Sequence, residues 1–92
     1  MGKKQEKILD RLHLPREVFL NIPLLEMEGL GRLRLENYKS ILEFTSTCLR
    51  VQTEQGVFCF QGFNIFIRYV NSQEIFIEGT IRSICIEEEA HE

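Results

Sequence analysis

Ninety-two residues leave room for one domain and a modest core. Hydrophobic residues at 43% and charged residues at 27% argue against disorder, and no apolar run approaches the roughly 20 residues that span a bilayer. A pI near 5.4 without a basic stripe sets nucleic acid aside as a partner.

The net charge of −3 is unevenly spread. Residues 1–16 hold five lysines and arginines against two acids, whereas residues 87–92 hold four acids and no base. The basic arm reads first as a solvated helix face, and second as a contact for an anionic surface. Ahead of Pro23 the apolar residues Ile8, Leu9 and Leu12, then Val18, Phe19 and Ile22, recur at helical spacing. Pro15 suits the first turn of a second short helix, with Glu17 near its positive end. Helix is therefore expected over about residues 3–12 and 15–21. No apolar stretch follows the charged start at Met1–Glu6, so no secretory leader is read there.

After Pro23 the period changes to two, and β-branched and aromatic residues dominate. Leu25–Gly29, Phe58–Gly62 and Ile75–Gly79 share the pattern apolar, any, apolar, polar, Gly; Leu42–Ser46 carries Ser at its last position. The small residues Gly29, Ser46, Gly62 and Gly79 thus recur every 16 or 17 positions. They are expected at bends in long strands, and the inward parity changes across Ser46 and Gly62. The expected fold is mainly β. Short N-terminal helices (1–22) precede an antiparallel meander of long bent strands (23–86), closed into a sandwich or open barrel, and an acidic tail (87–92) follows. A β-solenoid with rungs of about 17 residues is the alternative. Three hairpin registers favour the meander. Turning at Tyr38-Lys39 sets Leu35 against Leu42 and Leu33 against Phe44. Turning at Glu54-Gln55 sets Val51 against Phe58 and Leu49 against Phe60. A loop at Asn71-Ser72-Gln73 sets Tyr69 against Ile75 and Ile67 against Ile77.

Chemistry is sparsely signalled. Cys48, Cys59 and Cys85 lack C-x-x-C spacing and read as free thiols in apolar stretches. His13 and His91 lie near opposite ends of the chain, with no local signature of a Cys–His nucleophile. The acidic tail with His91 reads as a solvated terminus rather than a metal site. No phosphate-binding, hydrolase or zincin motif occurs. No catalytic residue, cofactor, metal or small-molecule substrate is expected, and the chain reads as non-enzymatic.

One surface stands out. Val57–Phe60, Ile65–Ile67 and Ile75–Ile77 are apolar on both faces of their strands. If Phe58, Phe60, Ile65, Ile67, Ile75 and Ile77 face the core, then Cys59, Phe66 and Phe76 face away from it. In that register Arg68 opposes Phe76, an arrangement suited to a cation–π contact. Either the N-terminal helices cover this second face, or it is a surface for a partner or for self-association.

Taken together, Leu12-x-Leu14-Pro15-x-Glu17, Leu20-x-x-Pro23, Leu35-Glu36-Asn37-Tyr38, Gln61-Gly62-x-x-Ile65-x-Ile67 and Glu74-Ile75-x-Ile77-Glu78-Gly79-x-Ile81 carry a resemblance. Over roughly residues 9–86 the chain resembles the YabP/YqfC family of sporulation proteins of endospore-forming Firmicutes, its YqfC branch more closely than its YabP branch. The three cysteines and the acidic tail lie outside that pattern. The resemblance implies a cytoplasmic protein of the mother cell during sporulation. It also implies a protein partner, with a membrane protein of the YqfD type as a candidate; self-association through the second apolar face is another route. It brings no enzymatic activity, cofactor or site residue. The leading expectation is a small interaction or assembly module in endospore formation; a small-ligand or peptide-binding β domain is the alternative.

Overall fold

The computed structural model describes residues 22–88. Six strands run in chain order: β1 (Leu24–Glu28), β2 (Arg32–Glu36), β3 (Tyr38–Phe44), β4 (Cys48–Thr53), β5 (Gly56–Val70) and β6 (Glu74–Glu87). They form one antiparallel sheet in the order β1-β2-β6-β5-β4-β3. No helix occurs among the described residues. The antiparallel pairing leaves no place for solenoid rungs. The helices expected ahead of Pro23, and most of the acidic tail, lie outside the described residues.

Local chemistry sets the turns. Buried Thr53 donates from Oγ1 to the Gly56 carbonyl at 2.8 Å and accepts from the Gln55 amide at 3.1 Å, which fixes the turn at Glu54-Gln55. Val51 then meets Phe58 and Leu49 meets Phe60, as the sequence suggests. Asn71 Oδ1 accepts the amides of Gln73 (2.8 Å) and Glu74 (2.7 Å), a side-chain-closed turn that joins β5 to β6. Ile67 meets Ile77 as expected. Past them the register slips by one residue at Arg68, so Ile75 opposes Val70 and Phe76 opposes Tyr69, in place of the expected Tyr69–Ile75 pair.

The first expected hairpin does not form. β2 pairs with β1 and β6, so Leu33 meets Met27 and Ile77, and Leu35 meets Leu25 and Ile75. Asn37 is the physical reason: it takes φ 67°, donates its side-chain amide to the Ile22 carbonyl at 2.8 Å and its backbone amide to Gln73 at 2.7 Å. A left-handed residue there turns the chain out of β2 toward the far edge of the sheet. β3 pairs with β4 instead, and it carries two irregularities. Ile41 and Phe44 oppose Val51 and Leu49, while Leu42 falls in an irregular step and is exposed.

The four small residues divide into two kinds. Gly29 and Ser46 lie in the loops joining β1 to β2 and β3 to β4, not at bends within strands. Gly62 and Gly79 do lie within the long strands, and β5 changes its buried side between Phe60 and Ile65. The register slips between Gln61 and Gly62 and again between Phe63 and Phe66. Each loop meets a bend: the Gly62 amide donates to Thr47 (3.1 Å), the Ile65 amide to Ser46 (2.8 Å) and the Gly79 amide to Gly31 (3.1 Å). The spacing of 16 to 17 residues thus matches two loops to the two bends on which they dock. Leu33 and Leu35 from β2, Leu49 and Val51 from β4, Phe60 and Ile65 from β5, and Ile75 and Ile77 from β6 form a single core.

Candidate functional site

Two features lie on the side chains turned away from the core. The first spans β1, β2, β6 and β5. Arg34 is its centre, because its neighbours Glu26, Phe76 and, one step along, Glu36 and Glu74 all project from the same face. Its guanidinium donates to Glu26 (2.6 Å) and Glu74 (3.0 Å), pairs with Glu36, and lies 6.0 Å from the centre of the Phe76 ring. Glu26, as hydrogen-bond acceptor, is the main reason that Arg34 holds its proton more firmly than a free arginine. Next along the face, Glu78 is approached by Arg32 (3.6 Å) and Arg68 (3.4 Å). Tyr69 packs on Phe76 at 5.6 Å, and Phe66 stands opposite Glu78, 47% exposed. A cavity of about 650 Å³ runs between Met27, Arg32, Arg34, Arg68, Phe76 and Glu78.

Of the residues singled out from the sequence, Phe66, Arg68 and Phe76 share this face. The cation over Phe76 is Arg34, not Arg68, because the slip at Arg68 puts Tyr69 opposite the ring. Cys59 is separate, on the other side of the bend at Gly62.

There the structure assembles a second feature. Cys59 faces Arg50 on β4 and Cys85 on β6, while Cys48 and Glu87 sit one step away on the same face. Donor atoms of Cys59, Cys85 and Glu87 all lie within 4.8 Å of one another. The three thiols grade from buried Cys59 through half-buried Cys48 to exposed Cys85. Arg50 donates to Glu87 at 2.9 Å and approaches Glu43 at 3.7 Å. That hydrogen bond holds the Glu87 carboxyl below the usual carboxylate range and raises Arg50. Burial, reinforced by the two neighbouring thiols, pushes Cys59 up to about 12. A nucleophilic cysteine needs a shift in the opposite direction.

The three cysteines share no sequence motif, yet the strand register brings two of them together. Carrying the Ile67–Ile77 register back along both strands sets Cys59 opposite Cys85, and the intervening slips cancel, so the pair survives.

Comparison with known proteins supplies the family. The family model described as "YabP family" matches residues 23–92, most of the chain and every described strand. The chain belongs to the YabP family. It is similar to "Uncharacterized protein YqfC" of Bacillus subtilis (strain 168), at 31% identity over 85 residues, covering 88% of this chain and 91% of that protein. No solved structure matches the chain significantly. No helix among the described residues is long and apolar enough to cross a membrane.

Proposed function

We propose that this YabP-family chain is a non-enzymatic interaction module acting in endospore formation. Its outer face on β1, β2, β6 and β5 docks a protein partner, a membrane protein of the YqfD type. The observation that carries this reading is the partly exposed Phe66–Tyr69–Phe76 group beside the paired charges of Arg34, Arg32 and Arg68. Apolar rings edged by charged pairs are the composition of a protein interface, and large exposed apolar patches on small domains mark such contacts. Burying each phenylalanine against a partner contributes about 1.5–3 kcal/mol, enough for association without any catalytic group. The bends at Gly62 and Gly79 fold the sheet into a sandwich, in keeping with the single core drawn from β2, β4, β5 and β6. The chain works on the cytoplasmic side of the mother-cell membrane.

A small-ligand role has the cavity beside Arg34 in its favour. Yet Arg32, Arg34 and Arg68 already face carboxylates, which leaves little unmatched charge for an anionic ligand.

Co-expression with the YqfD-type protein tests the proposal. The tagged chain should retain that protein, and Phe66→Ser with Phe76→Ser should release it while the circular dichroism of the β fold persists. Equal retention by the folded double variant would refute this face as the docking surface.

A further inference from the structure

We propose that Cys59, Cys85 and Glu87 form a three-ligand binding site for a thiophilic divalent cation of the Zn²⁺ type, its fourth position facing solvent beside Cys85. Among the described residues these are the groups whose donor atoms converge as metal ligands do, within 4.8 Å of one another. In a tetrahedral site with Zn–S near 2.3 Å, donors stand about 3.8 Å apart, so closing the cluster onto an ion takes a rotamer adjustment of about 1 Å. Cys48 lies on the far side of Cys59 from Cys85, toward Gln61, and stands outside this donor set. Thiolates select zinc over harder cations, and one carboxylate is compatible with that preference.

The surroundings supply what such a site needs. Two thiolates and a carboxylate around a divalent ion carry an excess negative charge of one, which Arg50, opposite Cys59, offsets. Arg50 donates to only one Glu87 oxygen, Oε1, so it orients the carboxylate while leaving the other oxygen for an ion. Outer partners of this kind orient ligands in metal sites generally. An ion has a way in, because Cys85 is exposed. The strands do the rest. β5 and β6 are adjacent, so the ligands come from two neighbouring strands of a preformed sheet rather than from flexible loops.

The full chain, kept reduced and free of metal, is titrated with Zn²⁺ against a chromophoric chelator, and with Co²⁺ while its absorption is followed. We expect one equivalent of each ion, and Co²⁺ bands showing both thiolate charge transfer and tetrahedral coordination. Cys85→Ser, at an exposed position, should weaken Zn²⁺ binding by more than the ~10–100-fold that losing an outer partner costs. Cys59→Ser should do the same, and Glu87→Gln should weaken it while keeping the Co²⁺ thiolate band. Removing residues 88–92, which carry the competing His91 and acids, should leave affinity unchanged. The proposal is overturned if the folded Cys85→Ser chain binds Zn²⁺ as before, if the truncation abolishes binding, or if the Co²⁺ complex shows no thiolate band.

Discussion

Gly62 shows how one missing side chain shapes the sheet. A Cβ built on it would sit 1.9 Å from the Thr80 carbonyl oxygen and 3.1 Å from the Arg82 amide, both backbone atoms that cannot rotate away. Its backbone is not left-handed, so the requirement is space rather than dihedral freedom. At Gly79 both apply: φ is +149° and a Cβ would lie 2.7 Å from the Ile65 Cα. Gly62→Ala should therefore destabilise by about 1–3 kcal/mol, the usual range for overpacking, and Gly62→Val should reach at least the top of it. The denaturant midpoint checks this, at unchanged slope. Arg34 makes a second prediction at this scale. With three carboxylates around one guanidinium, Arg34→Met removes the common partner of Glu26, Glu36 and Glu74 and leaves like charges facing one another. That variant should gain stability from added salt, which screens the repulsion, more than the parent chain does.

At the scale of the strands, the hairpins closed by short local turns were legible and the long-range pairing was not. Thr53 and Asn71 announce their turns, and alternation then fixes the β4–β5 pairs and Ile67 against Ile77. The partner of β2 is hidden because Leu33 and Leu35 suit Leu42 and Phe44 as well as they suit Ile77 and Ile75, which they meet in the sheet. Alternation specifies which face is buried, but it does not name the neighbour. The decisive residue was Asn37, whose left-handed φ does not show in a hydrophobic pattern. The slip at Arg68 was hidden for a similar reason, since one extra residue in a strand of mixed apolar faces leaves no mark in composition. Of the candidate surface, Phe66 and Phe76 are legible from parity, while Arg34 is not, because it comes from β2, whose neighbours alternation does not name. A double-mutant cycle separates the two pairings. Leu33→Ala with Ile77→Ala should show a coupling of about 0.5–3 kcal/mol, whereas Leu33→Ala with Phe44→Ala should be additive within about 0.5 kcal/mol.

For the molecule as a whole, the bends at Gly62 and Gly79 matter because they divide the outer side of one sheet into two regions with different chemistry. On one side, Arg34 and its carboxylates surround Phe76, with Tyr69 and Phe66 beside it; on the other, the thiols meet Glu87 and Arg50. β5 and β6 run through both regions, so each is anchored on the same core, through Ile65, Ile75 and Ile77 for the first and Phe60 for the second. No side chain is shared between them: Glu78 pairs with Arg32 and Arg68, and Glu87 with Arg50. Energetic coupling between two sites needs differential contacts in two states of a common element, and a continuous, well-packed core offers no second arrangement to bias. The two proposed functions should therefore separate. Phe66→Ser with Phe76→Ser should bind Zn²⁺ with the parent's affinity, and Cys85→Ser should retain the proposed YqfD-type partner. Partner retention that requires Zn²⁺ would instead mean that the two regions act as one surface, with the ion setting the curvature at which β5 and β6 present the rings.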